Sequence, residues 1–160
     1  EDPYLGARAA EVRVRGFQGK DLAAVDTIAA CAKHYAAYGF GEAGRDYNTV
    51  DVSEQTLRNV ILPPFKAARD AGAATFMNSF NEIHGVPATG SVHLQRQILK
   101  GEWGFEGMVV SDYFAIPQLV DYHNYAPDKA TAARMTLDAG MDLDTGFCRH
   151  DARAYSARRT

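Results

Sequence analysis

Apolar positions along the chain fall into two patterns. Short runs of small or apolar residues, each ending in polar groups, alternate with longer stretches in which apolar residues recur every three or four positions. The first pattern predicts buried strands and the second predicts amphipathic helices. A loop leads into a helix near Pro3, whose ring suits a first turn, and Gly16 and Gly19 end it. Ile28 through Ala32 predicts a first buried strand, with Cys31 as a small core residue. A Gly-rich loop, GFGEAGRDYNTVD, follows. Ser53 is placed to cap a helix with Leu57 and Ile61 on one face. Pro63 and Pro64 interrupt that helix, and Phe65 to Ala71 forms a second piece ended by Gly72.

The stretch AATFMNSFN predicts a second strand ending near Asn81. SVHLQRQILKG predicts a helix capped by Ser91, with Leu94 and Ile98 facing inward and Gly101 as its stop. GFEGMVVSD predicts a third strand, APDKATAARMTLDAG a helix from Pro127 to Gly140, and GMDLD a short fourth strand.

Strand and helix alternating at this spacing mean βα units around a parallel sheet. The fold class is therefore α/β. Each strand is followed by polar residues: Lys33 and His34, Asn78 to Asn81, Ser111 and Asp112, then Asp142 and Asp144. A complete (β/α)8 barrel takes roughly 250 residues. The 160 residues here are read as a partial TIM-like barrel, roughly its C-terminal half, and as a fragment of a larger protein. The expected domain spans 1–144. Residues 145–160 are expected to form an atypical basic tail, with Arg149, Arg153, Arg158 and Arg159 set against Asp151.

Composition narrows the function classes. The chain is 46% hydrophobic and 23% charged, with a formal net charge of -3. That balance gives no electrostatic footprint for nucleic acid. No apolar run reaches membrane-spanning length. Cys31 and Cys148 make no disulfide framework or zinc pattern, and His84, His93 and His123 show no ligand spacing. No metal or cofactor is predicted. The chain starts at Glu1 rather than Met, so the lack of a leader says nothing about compartment.

The stretch GMVVSDYFAI, ending its apolar run on Ser111 and Asp112, carries the sharpest question. Asp at a strand end can cap a turn. At the carboxyl end of a parallel strand it can also carry chemistry. Four strands that all end in polar groups favour the second reading. Lys33 reads either as a surface lysine or as a site cation, and as an amine it could form a Schiff base with a carbonyl substrate. His34 reads as a structural histidine or a hydrogen-bonding site residue. Phe80 and Tyr113 read as core aromatics or as flat walls for a ligand.

Several motifs in order then show a resemblance. AAVDTIAACAKHYAAYG, GRDYNTVDVSEQTLRNVILPPFKAARDAG, NEIHGVPATGS and LKGEWGFEGMVVSDYFAI are similar to glycoside hydrolase family 3, in particular its bacterial β-glucosidase branch. The likeness runs from Glu1 to about Asp144. It implies Asp112, in VVSD, as the catalytic nucleophile of a retaining exo-β-glucosidase acting through a covalent glycosyl–Asp intermediate. It implies Lys33 and His34 as hydrogen-bonding partners of the sugar, and Phe80 and Tyr113 as aromatic walls. It places Arg45, in GRDYN, in a loop near the substrate.

The resemblance further implies an acid/base outside this chain, a carbohydrate substrate, and a periplasmic or secreted setting. β-Xylosidase activity of the same family stays open. β-N-acetylhexosaminidase relatives resemble KHFPGHGDT, where this chain has KHYAAYGFGEAG, so their Pro-Gly-His-Gly signature is absent. An inactive fragment lacking the acid/base is the reading that involves no catalysis.

Overall fold

The computed structural model describes residues 2–146. Helix α1 (Pro3–Gln18) begins where the Asp2 carboxylate accepts the N–H groups of Tyr4 and Leu5 at 2.8 and 3.0 Å, and it ends on Gly19. Gly16 lies inside it rather than ending it. The Gln18 side chain ties this helix to the sheet. Its amide donates to Gly72 O, and its carbonyl accepts from Ala30 N and Ala74 N at the entries of the first two strands.

Strand β1 (Cys31–Tyr35) pairs in parallel with β2 (Thr75–Asn78), and β2 pairs in parallel with β5 (Met108–Val110). The sheet order is β1-β2-β5. The short strands β3 (Glu82–Ile83) and β4 (Val86–Pro87) form a separate antiparallel hairpin. Phe76 and Val109 are register partners and both are fully buried. Gly107 lets β5 approach β2, because a Cβ there would lie 2.3 Å from Ala74 O.

The helical layer covers this sheet. Ser53 caps α2 (Glu54–Thr56) by accepting from Thr56 N, and the chain continues through a wider π-type turn, Leu57–Ile61, into α3 (Pro63–Asp70). Leu57 and Ile61 are buried, as their spacing predicts. Ser91 Oγ accepts from Leu94 N and opens a π-type helix, His93–Glu102, which buries Leu94 and Ile98 and runs through Gly101. Tyr35, Phe65, Phe76, Phe105 and Trp103 form a network of edge-to-face and tilted rings beneath these helices. A smaller core of Ile116, Leu119, Ala132 and Met141 joins α4 (Ala115–Asp121) to α5 (Lys129–Ala139). Asp128 caps α5 and Gly140, at φ 113°, ends it.

Three local expectations are corrected. The first strand begins at Cys31, later than the apolar run, and Ile28 is 63% exposed. Cys31 is also exposed rather than core. β1 stands at the sheet edge with β2 as its partner, so its register with Thr75, not its hydrophobicity, decides where pairing starts. The expected fourth strand is one bridge between Val110 and Leu143. There the Asp142 carboxylate takes the Val109 N–H at 2.8 Å and so occupies a ladder position. Of the expected tail, residues 147–160, Cys148 included, lie outside the described residues.

Candidate active site

The carboxyl ends of β1, β2 and β5 meet on one face, and the polar residues that end each apolar run meet there too. Ser79 N donates to Tyr35 O, and Ser79 Oγ and Asn81 Nδ2 both donate to Ala36 O, which locks the end of β1 to that of β2. Ser111 Oγ donates to Asp144 Oδ1 at 2.7 Å and accepts from Thr145 N at 2.8 Å. Asp144 also accepts from Gly146 N, a local turn of the kind its sequence position suggests. Asp142 is drawn away into an ion pair with Lys100.

Asp112 follows β5 and sits among these locks. Its backbone N–H donates to Asn78 Oδ1 at 3.3 Å. Carboxylate Oδ1 accepts from Tyr113 N at 2.6 Å, so half of the group does serve a turn. Oδ2 is buried and makes no hydrogen bond among the described residues. It lies 3.2 Å from His34 Nε2, within ion-pair distance but off the hydrogen-bonding direction.

His34 projects from β1. Burial lowers its pKa; the Asp112 carboxylate opposes that effect and the Lys33 ammonium adds to it. The neutral imidazole is therefore favoured at neutral pH. Lys33 is exposed and, with His34, lines a cavity of about 580 Å3 that also touches Tyr38 and Phe65. Tyr38 packs its ring on His34 at 5.0 Å between centroids. Its phenol is pushed up to about 12, first by burial and then by the negative charge of Asp46 and by Tyr47 and Asp112.

Phe80, half-buried, joins Tyr38 and Tyr47 at 6.2 and 4.7 Å between ring centroids. Its carbonyl contacts His123 Nε2 at 2.8 Å. Tyr113 is 57% exposed and packs on Phe114. Arg45 is exposed, and its side chain makes no hydrogen bond or ion pair among the described residues. The structure thus brings Asp112 and His34 together, leaves Lys33 beside His34 on the lining of a cavity that Asp112 does not line, sets Phe80 in an aromatic cluster next to His34, and leaves Tyr113 and Arg45 at the surface.

Asn78, Tyr38 and Tyr47 also belong to this face, and sequence reasoning gave none of them a role. Asn78 stood within a noted polar stretch, but nothing in the sequence says which strand-end amide will meet Asp112. Chemically, the face presents a carboxylate with one unoccupied oxygen on a rigid strand end, an ammonium and an imidazole nearby, and flat aromatic surface. That set suits a polyhydroxylated ring that must be attacked at one carbon.

Comparison with known proteins identifies the family. The model of the glycosyl hydrolase family 3 N terminal domain matches residues 1–148. The chain belongs to glycoside hydrolase family 3. It is 43% identical over 143 residues to a periplasmic beta-glucosidase of Salmonella typhimurium, covering 89% of this chain and 19% of that protein. It is 37% identical over 147 residues to a beta-xylosidase of Formosa agariphila, covering 90% of this chain and 20% of that protein. The crystal structure of a beta-glucosidase from Listeria innocua superposes with a TM-score of 0.88 at 39% identity, over 92% of this chain and 20% of that one. The same Listeria enzyme solved with glucose gives the same TM-score, 0.88, with 39% identity over 92% of this chain and 21% of that one.

The chain spans about a fifth of the length of these relatives. Its fold is an α/β unit with a parallel sheet that matches the N-terminal, TIM-barrel-like domain of family 3 β-glucosidases. The relatives named above are beta-glucosidases and a beta-xylosidase.

Proposed function

We propose that this domain serves a retaining exo-β-glucosidase in which Asp112 is the nucleophile. The observation that carries the reading is the Asp112 carboxylate at the end of β5 beside His34, its Oδ2 free of hydrogen bonds among the described residues. A lone pair of that oxygen attacks the anomeric carbon of a terminal β-linked glucose, and the bond from that carbon to the leaving oxygen breaks. The leaving oxygen takes a proton from an acid/base outside this chain. Water, deprotonated by the same acid/base, then cleaves the glycosyl–Asp ester and restores the carboxylate. Lys33 and His34 hold sugar hydroxyls and orient the ring. Phe80 and Tyr113 offer aromatic faces to the sugar C–H surface, and Arg45 lies on the loop that borders it. No cofactor is needed for this displacement.

The Salmonella relative, a periplasmic beta-glucosidase, supports glucose as the sugar and a periplasmic or secreted setting. The Formosa relative supports xylose as the second reading. Relative kcat/KM on aryl β-glucosides and β-xylosides separates the two.

The test uses 2-deoxy-2-fluoro-β-glucosyl fluoride on the full-length protein that carries this domain, followed by peptide mass spectrometry. A glycosyl ester on Asp112 is the expected result. An active enzyme labelled elsewhere, or not at all, returns Asp112 to the role of a turn residue.

A further inference from the structure

Asn78 ends β2, the central strand of the sheet, and is 1% exposed. Its neighbours in register are Tyr35 on one side and, one step beyond the Met77–Val110 pair, the Ser111–Asp112 turn on the other. A buried carboxamide has costly polar ends, and each needs a partner. Here Oδ1 accepts the Asp112 N–H at 3.3 Å, while Nδ2 is buried with no partner among the described residues. The contact also fixes which end is which, because only the oxygen can accept from an N–H. An apolar side chain of similar size would avoid the cost of the unmatched Nδ2. Among the described residues, the one hydrogen bond of the Asn78 side chain is the one to Asp112.

We infer that Asn78 is a positioning residue for Asp112, anchoring its peptide and so fixing where its carboxylate stands. The inference rests on the reading of Asp112 as nucleophile. Three features of the face give it a reason. Asp112 lies beyond the last residue of β5, so no ladder hydrogen bond holds its own N–H. Its carboxylate is fixed at Oδ1 by Tyr113 N, a neighbour on the same turn that moves with it. Asn78 Oδ1 is the contact that ties this turn to a different strand. A neutral amide does this without setting a further negative charge beside a carboxylate that must stay ionised to attack; His34, Tyr38 and Asp144 are the titratable groups described around it, with Lys33 next to His34 in the chain.

The test compares Asn78→Leu and Asn78→Asp in the full-length protein, reading the rate of labelling by the fluorinated glucosyl fluoride and the pH profile of kcat/KM. Asn78→Leu removes the acceptor. Labelling and kcat should fall about 10- to 100-fold at every pH, with KM little changed, as for a misplaced reacting group. Asn78→Asp keeps an acceptor but adds a charge. Its acid limb should move to higher pH, and above that limb its rate should recover to within about tenfold of the parent.

Thermal unfolding of both variants checks that each is folded, and Asn78→Asp carries the test if Asn78→Leu is not. Parent labelling at Asp112 with an unaffected Asn78→Leu overturns this inference alone, as does a folded Asn78→Asp that stays slow at every pH. An active parent that is not labelled at Asp112 overturns both this inference and the nucleophile assignment.

Discussion

His34 Nε2 and Asp112 Oδ2 stand 3.2 Å apart across the ends of two strands that do not pair with each other. β2 separates them in the sheet, so the approach is made by side chains reaching over the end of the central strand. The pair therefore depends on how the three strand ends are locked, and changes at those locks should be felt at Asp112.

The first prediction concerns Asp112 itself. Asp112→Asn removes the attacking charge at nearly constant volume and should lower kcat by several orders of magnitude, on the order of 10^4-fold for an essential reacting group. Asp112→Gly opens space beside the anomeric carbon. With a dinitrophenyl β-glucoside, added azide should restore turnover and yield the α-glucosyl azide, identifiable by NMR. No azide product from a folded variant counts against nucleophilic attack at this position.

A second prediction follows from two half-buried histidines. Burial lowers the pKa of His34 and of His123 from an ordinary 6.5, and His123 loses part of that shift to its contact with the Phe80 carbonyl. The unfolded chain then binds more protons than the folded one in the window that begins near 6.5 and extends downward. Stability should be level above that window and decline as the pH falls through it. Urea denaturation from pH 7.5 to 5 measures this, and His123→Asn should flatten the slope. A slope that is unchanged in His34→Asn and His123→Asn variants would place the effect on other groups.

The ring cluster beneath the helices gives a third prediction. Phe76 is fully buried and meets Tyr35, Phe65 and Phe105. Phe76→Ala should cost about 3–5 kcal/mol, the usual range for emptying a buried aromatic site. Tyr35→Phe is subtler. Its hydroxyl donates to Leu94 O at 2.9 Å, and burial holds the phenol far above its ordinary range, so it stays a donor at all working pH. Losing that bond should cost about 1 kcal/mol. Chemical denaturation of the two variants should rank them in this order.

Much of the fold is legible in the sequence because buried parallel strands leave a coarse mark: an apolar run that stops at polar residues. Ser53, Ser91 and Gly140 mark element ends for local reasons, and they do so in the structure. The missed elements lack such marks. Pro117 reads as a breaker, yet it falls in the first turn of α4, where its missing N–H costs nothing. The β3–β4 hairpin turns on His84 and Gly85, both at positive φ, and a histidine where asparagine is usual hides the turn.

At the site, Asp112, Lys33 and His34 stand out through the family motifs. Asn78 and Tyr38 do not, because their roles arise from strand register and loop packing rather than from any local pattern. Cys31 misled for a related reason: hydrophobicity says that a residue can be buried, not that a neighbour covers it.

The chain has one tryptophan. Trp103 follows the π-type helix His93–Glu102, packs against the main core, and sits 6.1 Å from the Tyr35 ring. Asp112, His34 and Lys33 hold the strand-end face on other elements. Within these 160 residues the indole is therefore a single reporter of core integrity, with Tyr35 as a close energy donor. A strand-end variant of this domain that leaves the emission maximum in place has kept the scaffold.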